Sequence, residues 1–187
     1  MRYSIRILII SIFVASFNGC AYQPPKDTNS SFYSPPVGSQ LQLHDTLTIP
    51  ANDTQVRIQG GKIINSSWSL DAYYPNCNFE LRPIASVERI VHPDTFVISR
   101  VIRDTENVML TSPAIVARAG AISRSGSSGN GAPSVNYMTI MDLHSPRQPD
   151  VMRLTCQHWE DPSDSRHLSI TQIREVLGNL FTLSLPN

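Results

Sequence analysis

The chain has 187 residues, with fifteen Lys plus Arg against fifteen Asp plus Glu, 41% hydrophobic and 16% charged. That length suits one domain of ordinary size. The apolar content excludes a disordered acidic or basic chain, and the balanced charge lacks the basic footprint of a nucleic-acid binder.

Residues 1–20 read MRYSIRILIISIFVASFNGC. Arg2 and Arg6 form a short positive region, an apolar run interrupted by Ser11 follows, and small residues close the stretch at Gly19. This is the order of a secretory signal, and its apolar part is shorter than the roughly 18 residues a spanning helix needs. No acidic residue precedes Asp27, which argues against a buried N-terminal helix or strand. Acceptor triplets for glycosylation at Asn29, Asn52 and Asn65 support a competing reading, a soluble secreted glycoprotein. Such triplets arise readily by chance in a chain rich in Ser, Thr and Asn.

Residues 17–20, FNGC, resemble the lipobox of bacterial lipoproteins, with Gly19 and Cys20 carrying the match. The resemblance implies that residues 1–19 are a signal peptide and that Cys20 is acylated and becomes the mature N-terminus. Ala21 stands where an Asp favours retention at the inner membrane, which by resemblance implies the outer membrane. Two or more acyl chains anchor durably where one is marginal. The mature chain keeps thirteen basic residues against fifteen acidic ones, a formal charge of −2, and is steered neither to nucleic acid nor strongly to an anionic membrane.

Cys77 and Cys156 remain, in a compartment that is oxidising. The expectation is a disulfide between them. It would close a loop of about 80 residues, worth roughly 4–5 kcal/mol in the chain-entropy model. Two buried free thiols are the alternative. A metal pair is disfavoured, because only His158 beside Cys156 lies within ligand spacing.

Residues 20–39 hold the candidate acylated Cys and two Pro-Pro pairs among small polar residues, and read as a flexible Pro/Ser linker. Fully stretched, such a linker reaches roughly 60–70 Å. Residues 40–187 read as one domain. Leu41, Leu43, Leu47 and Ile49 alternate with polar residues, and Asp45 breaks the apolar face. Val56 and Ile58 continue after a turn, and Gly60-Gly61 turns the chain into 62–64. Cys77, Phe79 and Leu81 share one strand face ended by Pro83. Short runs follow at 86–91, 95–102, 108–111 and 114–119, then clear strands at 135–143 and 151–158. This spacing predicts a mainly β fold, a single antiparallel β-sandwich or small barrel with one short C-terminal helix. The helix starts at Ser169, which has capping-box spacing to Gln172, and ends at Gly178. Ile170, Ile173, Val176 and Leu177 fall on its apolar face, and a final strand is expected over 181–185.

No catalytic motif is present. Residues 120–134 hold four Gly and five Ser but lack the order of a phosphate-binding loop, and read as a long hairpin connection. There is no GxSxG elbow. The segment 158–167 is the densest polar cluster. His158, Glu160, Asp161, Asp164 and His167 carry metal-ligating groups, but their spacing matches no standard site, and a polar turn is the preferred reading. His44, His92 and His144 read as solvated or capping residues. Trp68, Tyr73 and Tyr74 lie in an irregular stretch before Cys77 and are the candidate partner-binding patch; covering the open end of a β-core is their other reading.

Residues 74–80 (YPNCNFE), 148–160 (QPDVMRLTCQHWE) and the ITQIREVLG segment resemble a family of uncharacterised proteobacterial envelope lipoproteins. The resemblance implies an extracytoplasmic β-domain and pairing of Cys77 with Cys156, and it carries no activity. The expected function is a periplasm-facing, outer-membrane-anchored lipoprotein. It would be a non-enzymatic binding or assembly module for another envelope protein, with no cofactor, metal or nucleic acid. The alternative is a lipoprotein hydrolase or metal-dependent enzyme acting on envelope material, with His158, Asp164 and His167 as its site.

Overall fold

The computed structural model describes residues 26–66, 69–108, 134–164 and 166–186. Among the described residues are ten strands, one α-helix and a short 3-10 turn. The strands are β1 (Gln40–Leu43), β2 (Leu47–Ile49), β3 (Gln55–Gln59), β4 (Lys62–Ile64), β5 (Asn76–Leu81), β6 (Arg89–Val91), β7 (Asp94–Val108), β8 (Ser134–His144), β9 (Val151–Glu160) and β10 (Phe181–Ser184). The helix, α1, covers Ile170–Leu177.

Eight strands form one antiparallel sheet in the order β10-β1-β7-β8-β9-β5-β3-β4, which curls into a half-barrel. The mainly β class and the single short helix are as expected. The sheet is barrel-like but does not close among the described residues, where β10 and β4 are its two ends. β2 and β6 pair separately as a two-stranded sheet. The expected runs at 95–102 and 108–111 meet in one long strand, β7, as far as Val108. The runs at 109–111 and 114–119 and the Gly/Ser segment up to residue 133 lie outside the described residues.

Strand alternation decides what faces the hollow. Leu41, Leu43, Phe96, Ile98, Met141, Leu143, Leu154, Phe79 and Ile58 are buried there, each with 0–3% exposure. Burying each such side chain contributes about 1.5–3 kcal/mol. Phe79 packs on Phe96 with ring centroids 5.9 Å apart and on Phe181 at 5.3 Å, so an aromatic cluster joins β5 to β10 across the curl.

The open side is covered by α1, whose buried residues are Ile170, Ile173, Val176 and Leu177. The helix contacts β10 near one end of the sheet and β3 and β5 near the other. Ser169 caps it with the expected box. Its hydroxyl accepts from the Gln172 N–H at 3.2 Å and its own N–H donates to Gln172 Oε1 at 2.9 Å. The C-terminus is pinned to the β3–β4 turn, where the Gly61 N–H donates to the Val176 carbonyl at 2.9 Å. Gly61 and Gly178 touch backbone to backbone, and both have positive φ, 73° and 53°.

Cys77 and Cys156 form a disulfide between β5 and β9, directly opposite each other in the ladder. It joins residues 79 apart in sequence and is fully buried in the core.

The segment expected as linker is attached to the domain over its described part. The Thr171 N–H donates to the Thr28 carbonyl at 3.0 Å, and Arg103 Nη1 donates to the Ser31 carbonyl at 2.6 Å. Tyr33 packs against the core, and the Gly38 N–H donates to the Ile98 carbonyl at 2.9 Å.

Two stability predictions follow from these contacts. A Cβ at Gly178 would lie 2.6 Å from Gly61 Cα, so Gly178→Ala is expected to cost about 3 kcal/mol, while Gly60→Ala, with open space around it, costs about 1 kcal/mol. Replacing both Cys77 and Cys156 by Ala is expected to cost about 2–5 kcal/mol. Urea midpoints at equal m-values measure both.

Candidate functional site

The loop over residues 69–75 joins β4 to β5 and carries Tyr73 and Tyr74. Its backbone is held by the Gln59 side chain of β3. Gln59 Nε2 donates to the carbonyls of Asp71 at 2.8 Å and Tyr74 at 3.3 Å, and Gln59 Oε1 accepts from the Asp71 N–H at 3.2 Å. Asp71 Oδ1 accepts from the Tyr73 N–H at 3.0 Å, the local turn that Asp favours. On the other side, the Trp159 N–H of β9 donates to the Ala72 carbonyl at 2.8 Å. The loop therefore continues the sheet pairing past the start of β5.

Tyr73 meets Trp159 edge to face, with centroids 5.7 Å apart and planes at 80°, and its hydroxyl lies 3.1 Å from Ser134 Oγ. Tyr73 is 51% exposed and Tyr74 66%. These two expected recognition residues share one ordered loop. The third, Trp68, lies outside the described residues, as does the candidate acylation site Cys20.

Beneath the loop is an open cavity of about 710 Å³ against the outer face of β3, β5 and β9. Arg57, Asn76, Asn78 and Gln157 line it from the sheet, and Asp71, Tyr73 and Trp159 wall it. Two of its side chains, Gln157 and Asn76, stand in a hydrogen-bonded row that starts behind the cavity at Asn136. Asn136 Nδ2 donates to Gln157 Oε1 at 3.1 Å, Gln157 Nε2 reaches Asn76 Oδ1 at 3.5 Å, and Asn76 Nδ2 donates to the Tyr74 carbonyl at 3.0 Å. Trp159 and the amide row were not singled out in the sequence. Their signal was parity: residues flanking inward Cys77 and Cys156 must point outward.

His158 is not in a polar turn; it lies within β9, 5% exposed. His167 follows the Pro162–Asp164 turn, and its ring meets Tyr137 edge to face at 5.6 Å. The Tyr137 ring is also 6.2 Å from His158, so the fold brings the two histidines to one place. Asp164 does not join them; it stands exposed in the turn. Among the described residues no three His, Cys, Asp or Glu side chains are grouped as metal ligands.

Burial pushes the His158 imidazole below its ordinary value, against the opposing pull of Glu160 and of a hydrogen bond with the Arg166 backbone. Its Nε2 is 3.6 Å from Glu160 Oε2, too long for a hydrogen bond, and forms an ion pair there only when the ring is protonated. Burial also lowers His167, with Arg103 adding to the effect.

Of the other histidines, His44 Nε2 lies 2.7 Å from Thr182 Oγ1 at the surface. His92 and His144 are exposed. Asp94, near His92 in sequence, is 6% exposed and bound to Ser145 Oγ at 2.7 Å, to Gln148 and to Arg147. Burial raises its carboxyl, but these hydrogen bonds and the Thr95 amide outweigh that and hold it below the usual range.

Compared with protein-family models, curated proteins and solved structures, the chain matches none.

The histidine pair makes stability pH-dependent. The unfolded chain binds protons at the ordinary imidazole value of about 6.5, where folded His158 and His167 stay neutral. Their contribution is full above that value and is lost as pH falls below it. Urea midpoints at about pH 7.5 and about pH 5 should show the loss, and His158→Gln should shrink the difference.

Proposed function

We propose that this chain is an outer-membrane-anchored lipoprotein that faces the periplasm and binds another envelope component without catalysing a reaction on it. The lipobox-like residues ending at Cys20 support the anchor. A buried structural disulfide suits an oxidising compartment outside the cytosol.

The observation that carries the binding role is the tyrosine loop. Tyr73 and Tyr74 are more than half exposed, yet Gln59 and Trp159 hold their backbone. Exposed aromatics on an ordered backbone lose little conformational freedom on contact with a partner. A lipid anchor adds effective concentration, so a modest surface suffices.

The docked N-terminal segment sets the reach. From an acylated Cys20 to Thr28, held on α1, eight residues span at most about 28 Å. The domain would then sit close to the membrane face, well within the reach of the fully free linker.

Two measurements test this reading. Metabolic labelling with palmitate should mark the protein, and Cys20→Ser should abolish the label and release the protein from membranes. A photo-crosslinking residue in place of Tyr74 should give an adduct with an envelope component in intact cells, while the same residue in place of Val97 should not. Absence of the adduct, or a label that survives Cys20→Ser, overturns the proposal.

A further inference from the structure

The cavity beneath the tyrosine loop has a more specific chemistry than an exposed aromatic patch. Its sheet floor is built on neutral amides, Asn76, Asn78 and Gln157. Each amide offers both a donor and an acceptor. Asn78 is half-buried at that floor, and its Oδ1, closed to solvent as the side chain stands, has no hydrogen-bond partner, so a turn of the amide would offer it to a ligand without breaking a bond to it. The charged lining groups, Arg57 and Asp71, oppose each other in sign, so the site selects neither an anion nor a cation. Tyr73 and Trp159 supply aromatic surface beside the amides.

Three ligand classes can be compared with that lining. A single-stranded nucleic acid needs a cationic groove, which one Arg beside one Asp does not make. An extended peptide adds to a free sheet edge, but β9, β5 and β3 are all interior strands. A sugar chain needs neither. Its hydroxyls donate and accept as the amides do, and the C–H face of a pyranose ring lies flat on an aromatic ring. About 710 Å³ is within the size range of ligand pockets and admits a short oligosaccharide.

We infer that this cavity binds a neutral glycan segment, with hydroxyls on Asn78 and Gln157, held from behind by the buried Asn76, and a ring face on Trp159 or Tyr73. The inference rests on the binding-module reading above and names its ligand class. Two envelope sources share this chemistry, the glycan strand of peptidoglycan and the sugar chain of lipopolysaccharide. The amide row is already oriented by its own hydrogen bonds, so little ordering is required on binding.

The test is calorimetric titration of the full chain in detergent micelles with three probes. These are an uncharged N-acetylglucosamine oligomer standing for the peptidoglycan backbone, an uncharged outer polysaccharide of lipopolysaccharide freed of its acidic core, and a peptidoglycan stem peptide. Saturable binding of either glycan, with the stem peptide silent, is expected, and the glycan that binds identifies the source. Trp159→Ala and Asn78→Ala should each weaken binding about tenfold or more. Ile90→Ser, on the separate two-stranded sheet, should not change it. Asn78→Ala removes an outward side chain and keeps the test valid if Trp159→Ala unfolds, which a thermal melt reports. Binding of the stem peptide instead, no glycan binding up to about 10 mM, or binding indifferent to Asn78→Ala overturns the inference. A Tyr74 adduct that persists in that case leaves the binding-module reading standing.

Discussion

A sheet that curls without closing must have its hollow covered, and most of this molecule answers that requirement. The inward side chains of eight strands would face water between β10 and β4 if nothing lay across them. The α1 helix spans the gap with four buried apolar residues, and Phe79 and Phe181 meet beneath it. The seam is tightest where Gly178 meets Gly61. No side chain can intervene there, and both residues hold a backbone conformation that suits glycine. Closure by a helix avoids the register that a full barrel would impose on β10 and β4.

The disulfide acts on the same architecture from the other face. Cys77 and Cys156 point into the core, so Asn76, Asn78 and Gln157 point out under the tyrosine loop. One covalent link thus lies directly beneath the amide row. It holds β5 and β9 in register where the cavity floor needs them, in addition to restricting the unfolded chain. A floor supported in this way presents groups already in place.

The polar interior near Tyr137 contrasts with that surface. Burial lowers the His158 and His167 imidazoles, and Arg103 is lowered by the same cause while one of its nitrogens reaches the Ser31 carbonyl. Buried groups of this kind raise the cost of acid conditions. Arg103 ties the N-terminal segment to β7 through the Ser31 carbonyl, and Thr171 ties it to α1 through Thr28, so this segment is part of the domain. The Asp94 cluster does similar work at the other end of β7, joining it to the β8–β9 turn through Ser145, Arg147 and Gln148.

Much of this was legible from residue order because it is local. Period-two alternation located most strands, the Ser169–Gln172 box located α1, and setting Cys20 aside on its lipobox resemblance left Cys77 and Cys156 as the expected pair. Tyr73 and Tyr74 stood out as aromatics in irregular sequence, but Trp159 did not, because a Trp within a strand gives no sign of the loop that will lie beside it. The polar string from 158 to 167 looked like one turn, whereas strand pairing carried His158 inward and left Asp164 outside. Pairing order, the half-closed curl and the sharing of one cavity by β3, β5, β9 and the tyrosine loop depend on contacts between residues far apart in the chain. Alternation specifies which face a side chain takes, but not which strand will stand beside it; that is decided only when the apolar faces are buried together.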